Sequence, residues 1–235
     1  MDPLSLKAVM RERRARRAAI LLTELSSDTD RIVREGDSVP GALGEAIDKA
    51  FKLGSSTAVT IDGKAYFLNV HLPQPRLVAI GAVHISQALA PMAKIAGFDM
   101  EIIDPRTAFA TPERFPDVPV HAEWPEDVLK ERRFDPYTAV AVLSHDPKID
   151  DVPLKAALDA KCFYVGALGS RKTHASRLER LRAAGVAEAD LARIRAPIGL
   201  PISAATPAEI AVAVLAEIVG ALRARRIERA EDAAA

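Results

Sequence analysis

The feature that most constrains this chain is an alternation that begins at Leu77. Short apolar runs at 77–80, 98–103, 138–143 and 163–168 are separated by segments with helical spacing at 85–96, 125–132, 154–160 and 170–184. A short apolar run without polar alternation is what a strand buried on both faces requires. Residues 118–121 read as a further short strand. Strands alternating with helices predict a doubly wound parallel sheet, so the fold class is α/β and Rossmann-like.

The pattern before it is different. Asp2-Pro3 reads as a helix cap with proline in the first turn, opening a helix to about Arg17. A strand at 19–25, a polar turn at 26–30 and a return strand at 31–33 follow. Leu43, Ile47, Ala50 and Phe51 fall at helical spacing, and Gly54 closes that helix. Runs at 59–61 and 66–70 flank Asp62-Gly63, a two-residue hairpin signal. Residues 1–72 are therefore expected to form a small α+β region, with a Rossmann-like domain over 76–228 beyond the stiff Pro73-Gln74-Pro75 connector. Thr206-Pro207-Ala208-Glu209 is a capping box opening a last long helix, and residues 231–235 read as its frayed end.

Composition excludes several classes. The chain has 235 residues, with 32 Lys+Arg balanced by 32 Asp+Glu. Zero net charge argues against a general nucleic-acid binder, which needs a basic excess. A lone cysteine, Cys162, excludes an internal disulfide framework and a cysteine-rich zinc site. It precedes an apolar run and reads as a small packed hydrophobe. The N-terminus lacks a secretion-signal pattern, and the apolar stretch at 210–222 is short and broken by Glu217. No membrane partner is expected, and the cytoplasm is the expected compartment. The run Arg11, Arg13, Arg14, Arg16 and Arg17 reads as a solvated helix face.

In an open parallel sheet, ligands bind beyond the carboxyl ends of the strands, where strand order reverses. That rule selects Gly81–His84, Asp104–Arg106, Ser144–Lys148 and Gly166–Lys172. The first turn is a degraded dinucleotide fingerprint, with Gly81 at the first glycine position and Val83 and Ser86 at the other two. Asp104 stands where a ribose-binding acid belongs, and Arg106 beside it suits a 2′-phosphate. Gly169, Ser170, Arg171 and Lys172 open a helix with cations at its positive end, a conflict that an anion resolves. His145 and Asp146 suit either a proton-transfer pair or metal ligation. Neighbours on an extended chain point apart, however, and an Asx turn before Pro147 is the plainer role for Asp146. His84 is the other histidine expected at the crevice, whereas His71, His121 and His174 read as peripheral. No metal-ligand spacing is recognisable.

The blocks Gly81-Ala82-Val83-His84-Ile85, Asp104-Pro105-Arg106, Ser144-His145-Asp146-Pro147-Lys148, Tyr164 through Lys172, and Ala196-Pro197-Ile198-Gly199-Leu200 with Thr206 through Ala211 resemble, in order, the XdhC/CoxI family. Residues 1–72 resemble a shortened N-terminal part of it. The resemblance implies an accessory factor that binds the molybdenum cofactor (molybdopterin), assists its sulfuration with a cysteine desulfurase, and delivers it to a xanthine dehydrogenase-type molybdenum hydroxylase. It also implies a homodimer and a chaperone without turnover of its own. On this basis the cofactor-binding set is Gly81, His84, Asp104, Arg106, His145, Asp146, Gly169, Ser170, Arg171 and Lys172, with no catalytic or metal-ligating residue assigned. Val83, Arg195, Pro201 and Ser203 depart from the commoner family residues. The cysteine-bearing segment of longer members is not recognisable, which implies that sulfur comes from a partner. The competing readings are an NAD(P)-dependent oxidoreductase, for which no Tyr-x-x-x-Lys set is present, and a nucleotide-binding regulator.

Overall fold

The computed structural model describes residues 3–27 and 29–231, with side chains to residue 224. Asp2 and the chain beyond Glu231 lie outside the described residues, as does Asp28 in the polar turn. The chain separates into two compact units, Gln74–Leu222 and the remainder.

The smaller unit holds α1 (Pro3–Arg14), β1 (Ala19–Glu24), β2 (Thr29–Arg34), α2 (Gly41–Leu53), β3 (Thr57–Ile61) and β4 (Lys64–His71). Its antiparallel sheet runs β2-β1-β4-β3. The apolar start of β1, Ala19 to Leu22, is buried between its two neighbours. Asp62 and Gly63 both take positive φ, 50° and 75°, as the predicted two-residue hairpin turn between β3 and β4 demands. Gly54 ends α2 in the left-handed conformation, returning its N–H to Ala50 O. Glu12 on α1 is fully buried and accepts from Arg17 Nε at 2.6 Å and Arg34 Nη2 at 3.2 Å. These hydrogen bonds, Arg17 first, hold its carboxyl down at about 2.

The larger unit is α/β and Rossmann-type. It contains β5 (Arg76–Ile80), α3 (His84–Ile95), β6 (Asp99–Ile103), β7 (Val120–His121), α4 (Pro125–Glu131), β8 (Thr138–Val142), α5 (Pro147–Asp159), β9 (Tyr164–Ala167), α6 (Arg171–Ala183), α7 (Glu188–Leu191), β10 (Ile194–Arg195) and, as far as Leu222, α8 (Pro207–Glu231). All neighbouring strands pair in parallel, in the order β10-β9-β8-β5-β6-β7. Counted within the unit this is 3-2-1-4-5-6, the order of dinucleotide-binding domains. β5 and β8 are buried at every residue. Strand alternation sends Leu77, Ala79, Ala139 and Ala141 to one face, against Leu89 and Ala93 of α3 and Val214 and Ile218 of α8. Val78, Ile80, Val140 and Val142 face the other way, against Ile149, Leu154 and Leu158 of α5 and Leu181 of α6.

Three local differences from the sequence reading have physical causes. The first concerns α5, which begins at Pro147, two turns before the expected Leu154. Asp146 caps it by accepting from Lys148 N–H at 3.0 Å, Pro147 takes the first turn, and Ile149 and Asp150 are buried. Those contacts offset the hydrogen bond that Pro153 removes inside the helix. The other two are the unpredicted α7 and β10. Two-residue β10 is held by its parallel neighbour, Ile194 opposite Val165, rather than by any pattern of its own. The capping box forms as predicted: Glu209 N–H donates to Thr206 Oγ1, and the Glu209 carboxylate accepts from Ala205 and Thr206 N–H. Among the described residues, no helix is long and apolar enough to cross a membrane.

Candidate functional site

Strand order reverses between β5 and β8, and the loop after β5 passes close to the loop after β8. Gly81 sits at φ 114°, and a Cβ there would meet Ser144 N at 3.1 Å. Glycine is thus required twice over, by conformation and by the approach of the β8 loop. Asp104, at the end of β6, is wholly buried. Its Oδ2 accepts from Ala82 N–H at 2.7 Å, and its Oδ1 from Arg106 N–H at 2.9 Å. The Arg106 guanidinium adds a two-point pair at 2.9 and 2.7 Å. Burial pushes this carboxyl up, but Arg106 and the two N–H donors outweigh it and leave it below its ordinary value. Both oxygens are therefore engaged in clamping the loop after β5. Arg106 also stacks over Phe109 at 4.9 Å, and Arg114 Nη1 donates to Ala82 O. The first turn after β5 is thus braced by two arginines.

A second group gathers at the ends of β8 and β9. The Ser144 hydroxyl donates to Asp150, which is 2% exposed. Burial pushes the Asp150 carboxyl up to about 6, against the pull of Ser144 and Arg177. Arg177 of α6 is 1% exposed. Its Nη2 donates to Leu168 O at 2.9 Å and lies 3.7 Å from Asp150 Oδ2. Its Nε and Nη1 are buried without a hydrogen-bond partner. Gly169, at φ 135°, lets the chain pass close to Thr173, whose Cβ would lie 3.2 Å from an added methyl. A cleft of about 250 Å³ opens here, lined by His145, Asp150, Lys172, Thr173, Ser176, Arg177 and Arg180.

The family model of the XdhC Rossmann domain matches residues 77–218. The chain belongs to the XdhC family. Relatives include the uncharacterized protein YqeB of Escherichia coli, 37% identical over 65% of this chain and 28% of its own length. A probable xanthine dehydrogenase subunit of Bacillus subtilis is 34% identical over 63% of this chain and 43% of its own. The molybdenum cofactor insertion chaperone PaoD of E. coli is 33% identical over 68% and 43%. The chain spans less than half the length of these curated relatives. A crystal structure of a xanthine dehydrogenase from Bacillus halodurans shares the fold, with TM-score 0.64, 24% identity, and coverage of 94% of this chain and 65% of that one.

Within this XdhC-family domain the predicted site residues divide. Gly81, Asp104 and Arg106 meet at the β5–β6 end, whereas His145 and Lys172 line the cleft at the β8–β9 end. His145 stands in the left-handed region at φ 67° and is exposed. His84 is exposed as the first residue of α3. The Asp146 carboxylate caps α5, the plainer of its two expected roles. Ser170 caps α6, its Oγ accepting from Thr173 N–H at 3.2 Å, while Arg171 and Lys172 are exposed in the first turn. Among the described residues, no group of three His, Cys, Asp or Glu is placed to hold a metal ion. The sequence reading missed Asp150, Thr173, Ser176, Arg177 and Arg180. A signal existed in α6, where Lys172, Thr173, Ser176, Arg177 and Arg180 recur at helical spacing and so share one face.

Proposed function

We propose that this chain binds the molybdenum cofactor as cargo and helps supply it to a xanthine dehydrogenase-type molybdenum hydroxylase. Two relatives support the reading by name, one a molybdenum cofactor insertion chaperone and one a probable subunit of xanthine dehydrogenase. The observation that carries it is the pair of exposed cations, Arg171 and Lys172, in the first turn of α6 after Gly169 and Ser170, following the strand next to the reversal of strand order. A molybdopterin phosphate suits that end, with His84 and His145 facing the pterin end. Asp146 assists by capping α5 and so setting the loop that carries His145. Gly81, Asp104 and Arg106 brace the adjoining turn. The same clamp weakens the NAD(P) reading, because both Asp104 oxygens are already engaged.

A homodimer in the cytoplasm, working beside a cysteine desulfurase, completes the proposal. Cys162 does not suit a sulfur carrier, since it is fully buried and burial pushes its thiol up to about 12. Fluorescence titration with molybdopterin tests the reading. Arg171→Ala/Lys172→Ala is expected to weaken binding on the order of tenfold or more. Unchanged affinity sinks the phosphate assignment, and thermal stabilisation by NAD(P)H in place of molybdopterin sinks the cargo.

A further inference from the structure

The helix start at Ser170 is an obvious place for an anion, yet the least satisfied donors lie further along. Arg177 is one turn deeper than Thr173 and 1% exposed, and two of its three nitrogens, Nε and Nη1, have no acceptor. A buried donor without a partner keeps its desolvation cost unanswered, and these two guanidinium nitrogens find no acceptor among the described residues. The nearest carboxylate is a poor counter-ion: Asp150 Oδ2 stands 3.7 Å from Nη2, and its other oxygen takes the Ser144 hydroxyl. Arg180, at the far end of the same face, is already paired with Asp151 at 2.6 and 3.0 Å. Lys172, Thr173 and Ser176 are exposed along the cleft that Arg177 closes from below.

We propose that the face of α6 formed by Lys172, Thr173, Ser176 and Arg177 is a phosphate-binding site, with Arg177 as its buried base. The class of ligand is a phosphomonoester. The cleft is small, at about 250 Å³, so it takes a phosphoryl group and leaves the rest of the molecule toward His145. Three features set this apart from a helix end used alone. The donors are side chains spaced at helical period, a buried guanidinium lies among them, and two of its nitrogens have no partner in the fold. The identity of the phosphomonoester as molybdopterin rests on the function proposed above, but the site itself does not.

Inorganic phosphate is the first probe, titrated into the full chain by calorimetry and followed by ³¹P NMR. Lys172→Ala/Ser176→Ala changes only exposed positions and leaves the fold unstrained, and Arg177→Lys keeps the charge while removing two donors. Lys148→Ala, on α5 and outside this cleft, is the control. Each cleft variant is expected to lose phosphate affinity on the order of tenfold, with the control unchanged. Equal phosphate affinity in all four proteins overturns the site. The second probe is molybdopterin with and without its phosphate. A loss in the cleft variants confined to the phosphorylated form supports the assignment. Molybdopterin binding indifferent to the cleft variants overturns this anchor and leaves the cargo reading standing. Phosphate binding that depends on the cleft, with no molybdopterin binding, upholds the site and overturns the cargo.

Discussion

Two buried carboxylates, Glu12 and Asp150, take opposite charge behaviour because hydrogen bonding wins over burial at one and loses at the other. Glu12 shows the sign most clearly. Arg17 and then Arg34 hydrogen-bond the carboxylate and lower it from its usual 4.5 to about 2. A depressed acid stabilises the fold above its unfolded value and loses that contribution as pH falls through the folded one. Glu12→Gln is therefore expected to lower stability by about 1 kcal/mol at neutral pH, since its arginine partners are half-exposed. The difference from wild type should close between about pH 4.5 and 2, as read from urea midpoints across that range. A gap that persists at pH 2 would remove the ion-pair explanation. Asp150 runs the other way: burial lifts it to about 6, so its ionisation costs stability as pH rises through that value. Neither residue announced itself, because a charge in a sequence carries no record of which side chains will enclose it.

At the scale of elements, the loops after β5, β8 and β9 depend on backbone conformations that sequence can flag. Gly81 is the tightest. Gly81→Ala would place a methyl 3.1 Å from Ser144 N on a backbone at φ 114°. The expected cost is about 1–3 kcal/mol, measured by equilibrium denaturation. Molybdopterin affinity should fall with it, because Ser144 and the β8 loop must shift. Wild-type stability in this variant would mean that the loop is slack. The helices were legible for a different reason. Ser170 and the Thr206–Glu209 box announce their caps through side chains that act within three residues. The length of α5 was not legible, since Pro153 argues locally against a helix that the sheet beneath holds in place.

At the scale of the whole domain, a buried ion network ties neighbouring strands of the sheet together. Glu101 is 4% exposed and meets Arg76 at 3.3 Å, Arg132 at 2.7 Å and His121 at 3.3 Å. Arg76 begins β5 and Glu101 lies in β6, so the network ties the two strands whose carboxyl ends carry Gly81 and Asp104. Glu101→Ala is expected to cost about 3 kcal/mol, with Glu101→Gln milder, read from denaturant midpoints. A change near zero would show that the arginines find other partners. Strand order itself follows from the crossover rule: once the apolar runs at 77–80 and 138–143 are strands joined by helices, right-handed connections leave few arrangements.

The sequence by itself determined the α/β class, the parallel sheet, the caps and the carboxyl-end loops where ligands gather, because each depends on periodicity or on contacts within a few residues. It also placed Gly81, Asp104, Gly169 and Ser170 at those loops. Only the tertiary structure decided what they do there. It committed Asp104 to Ala82 and Arg106, gave Asp146 to the start of α5, and buried Arg177 beneath the cleft with two nitrogens unanswered. The Asp104 clamp turns on a pairing across 22 residues, to Ala82, and the unanswered Arg177 on desolvation. Hydrophobic period records which face a residue takes, but not which charge it meets there.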